Sequence, residues 1–291
     1  LEKTLLDYDK AMIEAINKKA ELAGELAYQQ GLMNYNSSIK EFYADILERI
    51  FNLHIQQISL NVANLQLKSA QINYDNNKEL FNRGLISEDD LKNSELTVKD
   101  AENNLKNVNI NLETAQDNLK KVYEGDVKEI TLTIPTLEGL FVSDEEYLNT
   151  SYAFKLAQLS VELSEYDLNN LPSNASSYNK KITEATHQKN LLTLEDTREK
   201  LVDAHKLTKN SLEILYRTLQ NLKERVDLSQ NTFNDTKNRF DKGLVSELEL
   251  NSSNIDYLNA QKNYYESLQN YLKTYINYVV DTGRSLKEVG L

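Results

Sequence analysis

The chain carries one short turn sequence twice. The first copy spans residues 81–88 (FNRGLISE), and the second spans residues 240–247 (FDKGLVSE). Gly84 and Gly243 stand 159 positions apart (243 − 84 = 159), and every matching position of the turn shows the same offset. Long stretches with helical periodicity flank both copies. Two copies of a sharp turn between long helices predict two related helical hairpins in one chain.

Apolar residues recur every seven positions before each turn. Counting back from Phe81 in steps of seven meets an apolar residue each time. Counting back from Phe240 in the same way meets apolar residues first and then His205 and Arg198. A sustained seven-residue step is typical of helices wound against neighbours as in a coiled coil. The first row comprises Leu32, Ile39, Ile46, Leu53, Leu60, Leu67, Tyr74 and Phe81. The pattern predicts an all-α fold with two tandem long antiparallel helical hairpins.

The apolar rows resume after each turn, and their extent predicts where the helices begin and end. Each ascending helix is predicted to run for about 35 residues at the helical repeat. The descending helix of the second copy is predicted from near Tyr178 to near Arg239, and that of the first copy from near Lys3. Gly24 and Gly31 are weak points in the latter, since Gly costs about 1 kcal/mol relative to Ala inside a helix.

A segment with a different residue pattern separates the two hairpins. Ile130, Leu132 and Ile134 alternate with threonines, which predicts one short strand. Ser143 precedes an acidic turn and is predicted to cap a helix that runs to about Asn170. The predicted domains are a first hairpin (1–124), a small mixed α/β connector (125–142), a second hairpin (143–283) and a C-terminal connector (284–291).

Composition excludes several classes of function. The net charge of −12 argues against nucleic acid or an anionic membrane as a partner. With no Cys and three widely separated His residues, the sequence offers no thiolate chemistry and no metal-ligand pair. We therefore expect no catalytic residues, no metal and no cofactor. The sequence contains no run of about 18 apolar residues, so it predicts no transmembrane helix.

The doubled turn on long heptads resembles the TolC-type outer-membrane efflux channels. That family carries a tip turn of the form F/Y-x-x-G-x-x-x-x-x-D/E-x-x-x-A in each of two repeats, and three protomers form a twelve-helix tube. The resemblance covers about residues 21–286, and residues 125–142 match the family's equatorial region. The family's β-barrel hairpins have no counterpart: the corresponding place in the second copy holds only residues 171–177, so we expect the hairpins to be absent or deleted.

The resemblance implies a docking surface at the tips. It places a periplasmic adaptor protein on residues of both turns: Arg83, Gly84, Leu85, Ile86 and Ser87, with Lys242, Gly243, Leu244, Val245 and Ser246. It also implies a candidate pore constriction at Asp90 and Glu249, although the family's second acidic position is Ser252 here. The alternative interpretation is local, because an acidic residue in the first turn of a helix is favoured by the helix dipole alone.

Two further features have competing interpretations. Arg198 and His205 interrupt an apolar row, so they face a wet part of the tube or pair with a neighbouring carboxylate. The tyrosines at seven-residue spacing in the last helix form a path for a ligand or, as we favour, fill a helix seam. These are Tyr257, Tyr264, Tyr271 and Tyr278.

The resemblance implies a passive trimeric conduit rather than an enzyme. The expected function is the α-helical tunnel of a tripartite efflux or type I secretion system. Its expected location is the cell envelope, as the periplasmic part of an outer-membrane channel, with an adaptor and indirectly an inner-membrane pump as partners. The alternative is a structural or adaptor-like coiled coil without channel activity. A helical enzyme or ligand-binding domain would need a cluster of titratable groups, and the sequence shows none.

Overall fold

The structure is almost entirely helical. The computed structural model describes residues 2–123 and 134–284, with side chains from residue 17 onward. Within these ranges the backbone contains no β-strand. The predicted strand at Ile130 and Leu132 and most of the predicted connector at 284–291 lie outside the described residues. The helices are α1 (Glu2–Asn82), α2 (Glu88–Lys120), α3 (Asp144–Thr150), α4 (Tyr152–Asn169), α5 (Ser177–Asp241) and α6 (Glu247–Asp281).

The two long hairpins are confirmed. The ascending helices α2 and α6 contain 33 and 35 residues. The descending helices α1 and α5 contain 81 and 65 residues. Such lengths are tolerated because both prolines, Pro135 and Pro172, lie outside the helices, where their missing N–H disrupts no helical hydrogen bond.

The prediction of a single helix from Ser143 to about Asn170 is wrong, because the structure has two helices there. Ser143 does cap α3, since its hydroxyl accepts a hydrogen bond from the Glu146 N–H at 3.1 Å. The helix, however, is interrupted at Ser151, whose backbone is extended (φ −70°, ψ 118°). Because the Ser151 hydroxyl accepts from the Phe154 N–H, it caps a new helix, α4.

The contacts divide the chain into two compact units, and each unit takes segments from both repeats. Unit 1 holds residues 1–42, 135–212 and 274–291, and unit 2 holds residues 43–134 and 213–273. The domain boundaries proposed from the sequence at 124, 142 and 283 stay predictions.

In unit 2, each ascending helix packs antiparallel on its descending partner. Leu53 of α1 packs with Ala115 and Leu119 of α2, while farther along α1 the Gln66 side chain accepts from Asn104 at 3.4 Å. The α5–α6 pair is held by aromatic contacts, with ring centroids of Phe233 and Tyr257 6.0 Å apart and those of Tyr216 and Tyr271 5.7 Å apart. The tyrosine row of α6 therefore fills a helix seam.

The two hairpins of unit 2 meet through α1 and α6. The Tyr265 ring lies 4.2 Å from the His54 ring, and the Phe51 ring lies 6.4 Å from Tyr265. Nearer the turns, Asn251 Nδ2 donates to Ser69 Oγ at 3.2 Å. The helices of unit 2 thus follow the order α5–α6–α1–α2, with α2 and α5 at the two edges.

In unit 1, α4 packs on α5. Asn190 Nδ2 donates to the Ser160 carbonyl at 3.0 Å, and Ser164 Oγ lies 3.1 Å from His187 Nδ1. Lys19 of α1 forms an ion pair with Asp167 of α4 at 2.6 Å. Among the described residues, none of the helices combines the length and apolar character that crossing a bilayer requires.

We predict that replacing glycine by alanine destabilises the protein at Gly84 and stabilises it at Gly24 and Gly31. Gly84 has φ +70°, where a Cβ costs about 1–2 kcal/mol, so Gly84→Ala should lower the free energy of unfolding. Gly24 and Gly31 are helical, and a Cβ there meets no atom within 4 Å. Gly24→Ala and Gly31→Ala should therefore raise it by about 0.4–1 kcal/mol each. Urea unfolding followed by circular dichroism measures both effects. Equal signs at the two kinds of site would contradict the assignment.

Candidate functional site

The two turns between the long helices, called the tips, have the same backbone conformation. At the first tip, the Gly84 N–H donates to the Phe81 carbonyl at 2.8 Å, and the Leu85 N–H donates to the Leu80 carbonyl at 2.9 Å. These two bonds form a Schellman motif, in which a left-handed residue ends the helix and satisfies its last carbonyls. Gly84 adopts that conformation without the steric penalty that a side chain brings.

The second tip repeats this geometry. Gly243 has φ +71°, its N–H donates to the Phe240 carbonyl at 2.8 Å, and the Leu244 N–H donates to the Arg239 carbonyl at 2.9 Å. A serine then caps the ascending helix in each copy. Ser87 Oγ accepts from the Asp90 N–H at 3.1 Å, and Ser246 Oγ accepts from the Glu249 N–H at 3.2 Å.

Apolar side chains project from both tips. Leu85 is 66% exposed and Leu244 is 67% exposed, while Ile86 and Val245 are half-buried. The two leucines stand at matching positions of the two turns, and burial of each by a partner would be favourable by about 1.5–3 kcal/mol. The remaining predicted tip residues, which are exposed too, are Arg83, Gly84, Ser87, Lys242, Gly243 and Ser246.

The two acidic residues of the candidate constriction have different surroundings. The Asp90 carboxylate accepts from the Ser87 hydroxyl at 2.6 Å and from the Ser87 N–H at 3.1 Å, which completes a capping box. These bonds hold the pKa of Asp90 below its usual range, so the cap is complete above about pH 4 and is lost as the pH falls through the lowered pKa. The Glu249 carboxylate lies 3.8 Å from Arg239 Nη1 of the preceding helix. Each carboxylate thus finds its partner within its own hairpin.

A histidine network in unit 1 holds the connector. His205 of α5 is 0% exposed, and its ring stacks on Tyr147 of α3 at 4.3 Å between centroids. Its Nδ1 lies 2.7 Å from the Asp144 carboxylate, and its Nε2 lies 3.0 Å from the Tyr278 hydroxyl. The Tyr278 hydroxyl also accepts from the Val142 N–H at 3.1 Å. One side chain of α5 is therefore bonded to both α3 and α6.

The network is complete with the imidazole proton on Nδ1. Nδ1–H then donates to Asp144, and the Tyr278 hydroxyl donates to Nε2 while it accepts from Val142. The His205 bond lowers the pKa of Asp144, and burial raises the pKa of Tyr147 to about 12. With both ring nitrogens bonded, the arrangement positions segments rather than activating a substrate.

The structure decides between the two interpretations of the interrupted apolar row. His205 pairs with a carboxylate, whereas Arg198 is exposed. The sequence signal for this network was the polar residue His205 at a seam position. Its partners Asp144 and Tyr278 stand 61 and 73 positions away in the sequence. Within the described chain, three or more metal-ligating side chains do not gather anywhere.

The comparison with known proteins rests on structure. No family model and no curated protein matches the chain. The solved outer-membrane protein VceC from Vibrio cholerae matches 92% of this chain and 76% of its own, with a TM-score of 0.59 at 11% identity. CusC, solved in a study of transmembrane channel formation, matches 82% of this chain and 76% of its own, with a TM-score of 0.57 at 13% identity.

A third structure agrees with these two. The Campylobacter jejuni CmeC outer-membrane channel matches 89% of this chain and 66% of its own, with a TM-score of 0.54 at 12% identity. The chain has the TolC-type channel fold. The resemblance inferred from the doubled turn is confirmed at the level of the fold.

We predict that Tyr278→Phe destabilises unit 1. The change leaves His205 Nε2 and the Val142 N–H without the buried oxygen that they share, at a cost of about 1–3 kcal/mol. Urea unfolding measures the loss. Tyr35→Phe is the control, because Tyr35 is exposed. An equal effect of the two substitutions would show that the hydroxyl network contributes nothing.

Proposed function

We propose that the chain is the α-helical tunnel of a tripartite efflux or type I secretion system. It acts as a passive conduit, assembled as a homotrimer, and its tips dock a periplasmic adaptor protein that leads to an inner-membrane pump. The observation that carries the proposal is the pair of matched tips, each with an exposed leucine, at the ends of helices in a TolC-type fold.

A conduit needs no reacting groups in its wall. The titratable cluster around Asp144 and His205 has its hydrogen bonds satisfied within unit 1, and the similar solved structures are channels and an outer-membrane protein. In transport through a conduit, the pump supplies the energy and the conduit supplies the passage for the cargo. The whole assembly is located, in this proposal, in the cell envelope with the helical part in the periplasm.

We further propose that Glu249 contributes more than Asp90 to a cation-attracting constriction. Asp90 is held by two hydrogen bonds to Ser87, whereas Glu249 has one ion pair at 3.8 Å with an exposed Arg239. An exposed pair of that length is worth about 0–1 kcal/mol, so the Glu249 side chain is free to turn. Three converging carboxylates would attract cations.

The central test is assembly. Light scattering at high protein concentration should give a mass above that of one chain, and negative-stain electron microscopy should show rings or short tubes. The structural coiled-coil alternative predicts solid rods or single chains without a central opening. A monomer at every concentration, with no rings in the images, would reject the conduit in this form.

We predict that the exposed tip leucines carry the docking. Replacing both Leu85 and Leu244 by Asp should weaken binding of the purified adaptor of the same export system at least about tenfold, since two leucines lose their burial. Biolayer interferometry measures the affinity. Leu192→Asp is the matched control, because Leu192 is equally exposed but lies in α5 far from the turns. Unchanged binding of the double variant would place the adaptor elsewhere.

A further inference from the structure

One side of the first hairpin, called here the amide face, carries almost no charge. Asn104 Nδ2 of α2 donates to Gln66 Oε1 of α1 on this side, and a groove between the two helices lies nearer the first tip. Residues seven positions apart share a helix face, so rows at that spacing extend this side along both helices. On α1 the rows comprise Asn52, Gln56, Ser59, Ala63, Gln66, Ala70, Asn73 and Asn77, and on α2 they comprise Asn93, Thr97, Asp100, Asn104, Asn107, Asn111, Thr114 and Asn118.

The composition of these rows is unusual for a chain with a net charge of −12. Amide and hydroxyl side chains fill nearly every position, and Asp100 is the one charged residue in the rows. At 1.5 Å per residue, the α2 rows extend for about 37 Å along the helix. The amide face is therefore a long polar surface with almost no formal charge.

The internal repeat shows that the fold does not require this neutrality. Adding the 159-residue offset transfers the same rows onto α5 and α6 of the second hairpin. There they contain both basic and acidic side chains, which are Arg225, Asp256, Glu266 and Lys273. A composition bias of the whole chain would act on both copies, so it does not account for the difference between them.

The groove beside the first tip has a volume of about 500 Å³. Its polar lining comes from both helices, with Asn73 and Asn77 from α1 and Asn93 and Thr97 from α2, while Ala70 adds apolar surface. The volume is within the range of about 300–1,000 Å³ that is typical of ligand pockets. Among the described residues, the side-chain amides of the three asparagines have no hydrogen-bond partner, so their donors and acceptors are open to a ligand.

The carboxylate that also lines the groove is already engaged. Asp90 accepts hydrogen bonds from the Ser87 hydroxyl and the Ser87 N–H. It is consequently a weak site for a cation, and together with Asp100 it disfavours an anion. An apolar ligand would cover the amides without satisfying them, which costs free energy. The groove therefore favours a neutral ligand that both donates and accepts hydrogen bonds.

We propose that the amide face binds a neutral glycan chain, one end of which occupies the groove. Each Asn or Gln amide offers two N–H donors and a carbonyl acceptor, and each sugar hydroxyl offers a donor and acceptor lone pairs. The length of the face matches a chain of several sugars rather than a single one. This inference goes beyond the proposed conduit and does not depend on it, since one hairpin of one chain forms the whole surface.

The binding test uses the full chain and three oligosaccharides of six sugars each. Chitohexaose carries acetamido groups, maltohexaose carries hydroxyls without them, and hexagalacturonate carries a carboxylate on every sugar. Saturation-transfer NMR titrations measure the affinities. We expect chitohexaose, maltohexaose or both to bind, and hexagalacturonate to bind at least several-fold more weakly. A difference between the two neutral chains shows whether acetamido groups take part.

Several results would overturn the proposal. No binding of either neutral oligosaccharide would reject it outright. Binding of hexagalacturonate as tight as that of the neutral chains would assign the interaction to the lysines of the protein surface. Tighter binding of a neutral Ser-Gly-Asn peptide of similar length would show that the face recognises polypeptide instead.

A triple variant tests whether the groove is the site. Asn73→Ala, Asn77→Ala and Asn93→Ala together should weaken the binding of the neutral chain at least about tenfold, because three open amides are removed. Alanine is the best helix former, so the hairpin should stay folded, and far-UV circular dichroism checks this.

The matched control removes three asparagines that lie outside the amide face. Asn64→Ala, Asn103→Ala and Asn109→Ala change exposed positions of the same two helices. We expect binding within about twofold of the unmodified chain. Equal losses in the two triple variants, or no loss in either, would reject the groove as the binding site.

The outcomes separate this inference from the proposed function. Rings in the electron microscope without any glycan binding would reject the amide face as a binding surface and leave the conduit standing. Glycan binding that the first triple variant abolishes, with no rings or tubes at any concentration, would support the amide face and reject the conduit.

Discussion

The architecture depends on two backbone reversals at Gly84 and Gly243. At the ends of these helices of 81 and 65 residues, a left-handed glycine ends the helix and a serine cap then starts the ascending helix. The reversal sets the register of everything that follows, because α2 and α6 can pack on their descending partners in one alignment once the turn is fixed. The heptad rows, the tyrosine contacts and the exposed leucines at the tips all take their positions from these two residues.

Between the hairpins, packing is thin and partly polar. The α1–α6 contact combines Phe51 and Tyr265 with the Asn251–Ser69 hydrogen bond and the ion pair between Lys68 and Glu247. Polar contacts of this kind add little to stability, but they penalise displaced registers, in which a buried Asn251 would lose its partner. The helices are consequently held in alignment by specific pairs rather than by a thick core.

Much of this fold could be predicted from the sequence because its signals are local or repetitive. The glycine turns, the cap at Ser143 and the helix lengths follow from residues a few positions apart. The break at Ser151 was missed, since its cap competes with a helical pattern that continues on both sides. The His205 network was equally hidden: a polar residue at a seam position indicates that a partner exists, but Asp144 and Tyr278 become its neighbours only through the tertiary fold. The domain limits and the roles of the tip residues stay predictions.

The His205 network also bears on the order in which the chain folds. Each tip brings together residues that are neighbours in the sequence, so closing it costs little loop entropy, and local contacts of this kind favour fast folding. The network joins Val142, Asp144 and His205 to Tyr278, so it closes only after the last described helix has been synthesised. Until then His205 and the Val142 N–H remain hydrated. The hydrogen bonds that hold the connector therefore join residues far apart in the chain, whereas those of each tip join residues within five positions of one another.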